Sequence, residues 1–372
     1  MSLVATRLQN WRIRVDQFDK NMARPLEYGA LDFFIEQTDA PNSIVSPELR
    51  ERAFASAGNT VQLPVINYDG DVTVSNVRSC SISDDENTSA LYTVVWTTLS
   101  VGFTMVPAAY ANNEISYDHD FERKMEKVTR ALATSLDGLA LTALSANKSQ
   151  VFADKLYYTV TSNVVEVPWD GRLDFLGDVN AIMRANAYPG RLHVIGNAGI
   201  DSIASKLAEH GLYNDVDKRL EYAGKTFHFT TNLANEEGKF ATAYIVEDGN
   251  VAVLTRVDRE AYRGASANFN EWGVTYLPYI NLPVGYHYYT SVGDQSSIAG
   301  DATADLTCGI KEHFGFSLDV AFLVAYNSAP ATVANPIIKL EVAANNGASA
   351  FAKPVVVVSD EDHPVYTSAV TI

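Results

Sequence analysis

Residues 118–147, DHDFERKMEKVTRALATSLDGLALTALSAN, decide how the rest of the chain reads. Phe121, Met125, Val128, Leu132, Leu136, Leu139 and Ala143 step by four, three, four, four, three and four residues. That spacing puts them on one side of an α-helix, a side that must be buried. Asp118 is placed to cap the start, and Asp120 and Glu122 fall in the first turn, where carboxylates complement the free N–H groups. Asn147 and Lys148 suit the C-terminal end. At 1.5 Å per residue the helix runs to about 43 Å, several times the mean helix length. We expect Met125, Val128, Leu132 and Leu136 to be core.

On the N-terminal side, residues 60–106 read as strands. Val61, Leu63 and Val65 alternate with polar neighbours, and Asn67-Tyr68-Asp69-Gly70-Asp71 is a turn centred on Asp-Gly. Ser83-Asp84-Asp85-Glu86-Asn87 reads as an acidic loop tip, and Ala90 to Met105 as one long β-rich run. A hairpin of this kind has too little apolar surface to stand alone and must lie on something else. Before it, Pro25 to about Gln37 predicts a short helix, and Ser46-Pro47-Glu48 opens another that ends near Gly58. The first 24 residues carry Arg7, Arg12, Arg14, Lys20 and Arg24 against only Asp16 and Asp19. Trp11, Ile13 and Val15 alternate with polar neighbours, which predicts an extended arm, either a strand of the chain's own sheet or a segment laid on a neighbouring subunit.

On the C-terminal side an α/β mixture follows. Lys155 to Val167 predicts strands, Leu173 to Ala187 and Ile200 to His210 predict helices, and Leu192 to Ile195 an apolar strand between them. Residues 222–258 alternate as strands, with a turn at Asn235-Glu236-Glu237-Gly238. Trp272, Tyr276, Tyr279, Tyr286, Tyr288 and Tyr289 mark an aromatic β-rich stretch, read mainly as core. Phe314 to Tyr326 and Pro354 to Val358 predict further strands.

The 372 residues suffice for a large core, and 47% hydrophobic content excludes a disordered chain. A formal net charge of -17 argues against a protein whose work is to grip nucleic acid, or to dock on an anionic membrane. The N-terminus has no apolar stretch of signal-peptide length, so the expectation is a protein that is not exported. Cys80 and Cys308 are the only cysteines, too few for a disulfide framework or a four-cysteine zinc site. The seven histidines, His119, His193, His210, His228, His287, His313 and His363, form no H-E-x-x-H pair. There is no P-loop, no dinucleotide fingerprint and no G-x-S-x-G, the nearest approach being Gly264-Ala265-Ser266-Ala267-Asn268. The acidic turns at Asp69-Gly70-Asp71 and Asp84-Asp85-Glu86 lack EF-hand spacing and read as solvated loops. No catalytic, cofactor-binding or metal-binding residue is signalled.

The order of parts is a basic arm, a long hairpin, one very long helix, an α/β region and aromatic strands. It resembles the major capsid proteins of tailed double-stranded DNA bacteriophages, the Hong Kong 97-like fold. Trp272-Gly273-Val274-Thr275-Tyr276-Leu277-Pro278 and Leu282-Pro283-Val284-Gly285-Tyr286-His287 add to the likeness. The resemblance implies an α+β chain with five parts. Residues 1–58 would be an N-terminal arm with short helices, 60–106 an extended β-hairpin (the E-loop), and 107–159 a peripheral domain whose spine helix is 118–147. Residues 160–270 would be an α/β axial domain, and 271–372 the return strands of the peripheral domain with a C-terminal segment.

The resemblance further implies self-assembly into hexamers and pentamers of an icosahedral shell. That shell would enclose DNA without sequence-specific binding. Its partners would be a separate scaffolding protein and a portal, with cement proteins as further candidates, and no membrane. Its location would be the virion, after assembly in the host bacterial cytoplasm. The candidate inter-subunit contacts are Arg7, Trp11, Arg12 and Arg14 on the arm, with Asp84, Asp85 and Glu86 at the hairpin tip. The Lys–Asn cross-link of the family's prototype is not expected, because no lysine occurs between Asn21 and Arg123 and Arg78 is the hairpin's only cation. A nanocompartment shell of the encapsulin type and an intracellular α/β enzyme are the other readings the residues leave open.

Overall fold

The structure, a computed structural model, describes residues 7–9, 11, 27–55, 61–66, 89–110, 116–149, 158–208, 212–214, 219–222, 224–257, 271–278, 280–293, 309–325, 334–345, 355–358 and 364–367. Its axis is the helix Tyr117–Ala146, within one residue of the expected span. The cap is Ser116 rather than Asp118. Its Oγ accepts from His119 N at 3.2 Å, while Asp118 and Asp120 sit in the first turn. Phe121, Met125, Val128, Leu132 and Leu136 are buried, and Leu139 and Ala143 half-buried. Thr129, Ala133, Asp137, Ala140, Leu141 and Leu144 are buried as well. The long helix is buried on more than the stripe because a second helix, Gly29–Asp39, lies beside it.

That second helix starts at Gly29, and Pro25 lies outside the described residues. The start is set by tertiary contacts. Tyr28 bridges to Thr230, and a Cβ on Gly29 would stand 2.3 Å from the carbonyl oxygen of Phe229, so only glycine lets the helix seat on that strand. The helix Pro47–Ala55 begins as expected, with Ser46 Oγ accepting from Leu49 N at 3.3 Å and proline at the first helical position. The position expected to end it, Gly58, lies outside the described residues.

Strands β1 (Gln62–Ile66) and β2 (Ser89–Thr93) pair antiparallel, Gln62 opposite Thr93 through Ile66 opposite Ser89. The expected single run from Ala90 to Met105 is broken at 94–96. There Val94 is buried and its N–H bonds to Val61 at 2.9 Å. Beyond the break, β3 (Thr97–Met105) leaves the hairpin for another sheet, because Val101, Phe103 and Met105 have a core to enter there.

Continuing along the chain, β4 (Thr159–Thr161), β5 (Val164–Val167), β6 (Leu192–Gly196), β7 (Leu212–Asn214), β8 (Arg219–Tyr222), β9 (Lys225–Phe229) and β10 (Lys239–Glu247) precede β11 (Val251–Arg256). After it come β12 (Glu271–Tyr276), β13 (Pro283–Gly293), β14 (Gly309–Val324), β15 (Ile337–Ala343), β16 (Val355–Val358) and β17 (Pro364–Thr367). One sheet has eight strands in the order β4-β5-β15-β10-β6-β9-β8-β7, parallel only at β5/β15 and β6/β9. The helices Phe175–Ala185 and Ala198–Ala208 pack on it, closing a core of Phe175, Leu176, Val179, Ile200, Ile203 and their strand partners. The other sheet has five strands. β13 and β11 pair in tandem along one edge of β14, β3 pairs along its other edge, and β12 flanks β13. The long helix lies on this sheet, where Phe121 meets Phe103 and Phe314 edge-on at 5.6 and 5.2 Å.

The division at residue 270 does not follow the sheets. β15, from the expected return segment 271–372, sits inside the eight-stranded sheet between β5 and β10. β11, from the expected 160–270 unit, pairs with β14 in the five-stranded sheet. Apolar strands report that they are buried, and say little about which sheet buries them. β16 and β17 form a separate pair.

One buried charge carries a prediction. Lys225 is 0% exposed, and its ammonium has no hydrogen-bond partner among the described residues. Burial pulls its pKa down to about 8 from 10.5. A base whose folded pKa lies below its unfolded value costs stability once the pH falls below the unfolded value, and the cost levels off below the folded one. Lys225→Met should therefore raise stability at neutral pH by about 3 kcal/mol, with the gain shrinking between pH 8 and 10.5. Urea midpoints across that range read it, and a variant no more stable at neutral pH refutes it.

Candidate assembly surface

The sites offered by the arm and the hairpin come out differently. Arg7 to Gln9 and Trp11 are helical where alternation predicted an extended segment. Leu8 and Trp11 are 5% and 3% exposed and enter the main core of this same chain, so burial against the long-helix layer overrides the period-2 pattern. Arg7 donates from Nη1 to Tyr117 Oη at 3.0 Å, and its guanidinium lies 4.7 Å over the Tyr117 ring. Tyr117 Oη in turn donates to Glu312 Oε2, and Tyr288 Oη donates to Glu312 Oε1 at 3.0 Å. Burial first, and then the Glu312 carboxylate, push the Tyr288 phenol up to about 12, so this latch of arm, helix and β14 stays uncharged on its tyrosines at neutral pH. Arg12, Arg14, Asp84, Asp85 and Glu86 lie outside the described residues.

Among the described residues, the base of the hairpin exposes large apolar side chains. Leu91, Tyr92 and Val95 are 64%, 41% and 74% exposed. These three lie within five residues at the base of the hairpin, beside the buried Val94 that anchors it. The sequence signals them only as part of a β-rich run. Isolated exposed apolar residues are ordinary, but a cluster on a two-stranded ribbon is a surface waiting for cover.

A second surface is the face of the five-stranded sheet turned away from the long helix. Register sets its composition row by row. Trp272, His287, Gly315 and Gly102 stand side by side across β12, β13, β14 and β3, and Tyr289, His313 and Thr104 form the next row. Tyr289 and His313 stack 4.3 Å apart with an interplanar angle of 2°. A Cβ on Gly315 would fall 2.0 Å from His287 Cε1, so the missing side chain is what lets the imidazole lie across the sheet. The result is a shallow depression of about 480 Å³ floored by glycine, with Ser100, Thr104 and the stacked rings around it. Trp272 and Tyr276, 40% and 52% exposed, continue this face toward the β12 edge, so the aromatic stretch divides between core and surface. Burial holds both His287 and His313 below the ordinary imidazole value, with Lys311 adding to the effect on His313.

Among the described residues no three metal-ligating side chains converge, and no helix is long and apolar enough to cross a membrane.

The architecture is shared with a chain of a solved phage capsid. A chain of the Cyanophage Pam1 capsid asymmetric unit superimposes with a TM-score of 0.50 at 11% identity, covering 88% of this chain and 95% of that one. A Mycobacterium phage Che8 chain gives 0.47 at 12% identity over 86% and 93%, and the capsid of Cyanophage P-SCSP1u gives 0.45 at 11% over 77% and 84%. No family model and no curated protein matches the chain. The similarity to the Pam1 chain, at that identity, is one of fold.

Proposed function

We propose that this chain is the major capsid protein of a tailed double-stranded DNA phage, with a Hong Kong 97-like fold and no enzymatic role. Copies associate as hexamers and pentamers of an icosahedral shell that encloses the genome. The observation that carries the reading is the fold shared with the Pam1 capsid chain over 88% of this one. The exposed Leu91, Tyr92 and Val95 support it, because a neighbouring copy would supply the cover that the hairpin lacks. In this reading the long helix and five-stranded sheet are the peripheral domain, the eight-stranded sheet is the axial domain, and the hairpin is the E-loop.

Asp84, Asp85 and Glu86 would meet basic groups of a neighbour without covalent bonds, each pair contributing at most about 1 kcal/mol. Shell strength then comes from buried area, and from cement proteins where these bind. A scaffolding protein and a portal would be separate chains. The net charge of -17 suits a wall that does not hold the packaged DNA. The protein would be found in the virion after assembly in the bacterial cytoplasm.

Expression followed by light scattering and negative-stain imaging tests this. We expect capsomers, sheets or shells, which run in denaturing detergent as one band at 40.6 kDa. Leu91→Asp with Val95→Asp should give folded subunits that no longer assemble. A monodisperse monomer or dimer from the unmodified chain overturns the proposal. A covalent ladder would overturn the non-covalent part, and shells filled with protein cargo would favour the nanocompartment.

A further inference from the structure

Two histidines that lie far apart in sequence meet beneath the helix Gly29–Asp39. His193 on β6 and His228 on β9 are 2% and 6% exposed, and His193 Nδ1 lies 3.0 Å from His228 Nε2. Phe33 of the helix covers both rings, with centroids at 5.0 and 5.3 Å. On its other side His193 Nε2 is 3.4 Å from Gln37 Nε2 and 3.4 Å from Asp248 Oδ1. Gln37 is not free to turn, because its Oε1 accepts from Gly249 N at 2.6 Å.

Of the protonation patterns these contacts admit, two differ by one proton; a neutral pair with both protons on Nε2 is a third, which a tautomer measurement separates. In the first, Gln37 Nε2 donates to a bare His193 Nε2, so the proton of His193 is on Nδ1 and is donated to a bare His228 Nε2. Both rings are neutral, and the helix is bonded through Gln37 to the sheet. In the second, a proton taken up on His228 Nε2 is donated to His193 Nδ1. The proton that His193 held on Nδ1 is then carried on Nε2, which donates to the Asp248 carboxylate. Gln37 Nε2 now faces an N–H, so its contact with His193 is lost, while its bonds to Gly249 N and to the Asp248 carboxylate remain. The two patterns differ by one proton and by the Gln37–His193 contact.

We propose that the His193–His228 pair is a pH-sensitive latch, which ties the helix Gly29–Asp39 to the eight-stranded sheet through Gln37 when neutral and loosens that tie when one proton is bound. The proposal does not depend on the shell reading. Burial holds the His193 pKa below its usual value, opposed by Asp248 and by Glu36 of the helix and reinforced by Arg191 ahead of β6. Lys225, also on β9, projects to the opposite side of the sheet from His228 by strand alternation. A histidine whose folded pKa lies below its unfolded value contributes stability that is full above about pH 6.5 and is lost as the pH falls. Acid therefore opens the latch.

The test uses the unassembled full-length subunit. Nitrogen–proton correlation of the imidazoles at about pH 7.5 should show protons on Nδ1 of both residues and bare Nε2 atoms. Lowering the pH to about 5 should reduce amide protection at 31–38 about tenfold, while 125–141 in the long helix keep theirs. In His228→Gln the side-chain oxygen still accepts from His193 Nδ1 but takes up no proton, so that loss should disappear. A proton on His193 Nε2 at the higher pH overturns the latch, as does equal acid loss in His228→Gln. If the variant does not fold, the tautomer of the unmodified protein decides the question.

Discussion

Asp137→Ala should destabilise the subunit by about 3–5 kcal/mol, measured as the shift in denaturation free energy. Asp137 lies mid-way along the long helix and is 0% exposed. Its Oδ1 accepts from Leu31 N at 3.0 Å, which caps the helix Gly29–Asp39 from outside, since Tyr28 at the cap position offers no side-chain bond. Its Oδ2 accepts from Thr230 Oγ1 at 2.6 Å and from Asn232 Nδ2 at 2.8 Å. One carboxylate thus joins the long helix, the short helix and the segment after β9. Alanine would leave two buried donors, Leu31 N and Thr230 Oγ1, and the half-buried Asn232 amide without an acceptor, and each buried orphan costs about 1–3 kcal/mol. Asp137→Asn should fall between the two, because its oxygen can still serve Leu31 while its amide opposes the Thr230 and Asn232 donors. An alanine variant within about 1 kcal/mol of the parent would show that water replaces the carboxylate at no great cost.

Leu132→Ala should cost about 2–5 kcal/mol and leave assembly geometry unchanged in whatever subunits still fold. Leu132 is 3% exposed in the main core, on the face shared with Met125, Val128 and Leu136. The cost combines lost transfer energy with the cavity left behind, which two flanking layers cannot easily collapse. Exposed Thr134 two residues on is the control, where alanine should change stability by no more than about 0.5 kcal/mol. Soluble, fully stable Leu132→Ala subunits that fail to assemble would move this face from the core to an interface.

Much of the candidate surface escaped sequence reading for identifiable reasons. Trp11 alternates with charged neighbours as a strand would, yet it is helical and buried, because a nearby apolar layer outweighs a weak local pattern. Gly102 and Gly315 look like ordinary strand-weakening glycines until register sets them side by side under His287. Leu91 and Val95 are apolar residues in a β-rich run, and nothing local distinguishes those that enter the core from those left uncovered.

The long helix was determined by the sequence alone, because a seven-residue apolar stripe at helical spacing has one conformation that buries it. The same holds for the helices at 175–185 and 198–208 and the strand at 192–196, all set by short-range periodicity. Tertiary structure decided what periodicity does not encode. β15 crosses back between β5 and β10, although its apolar pattern would suit either sheet. Three donors from distant segments converge on Asp137, and nothing in the helix around it marks it as their acceptor. His193 and His228 become one unit only when β6 and β9 pair in parallel. In each case the deciding energy is a contact between residues far apart in sequence, and such a contact leaves no mark on the local pattern of either partner.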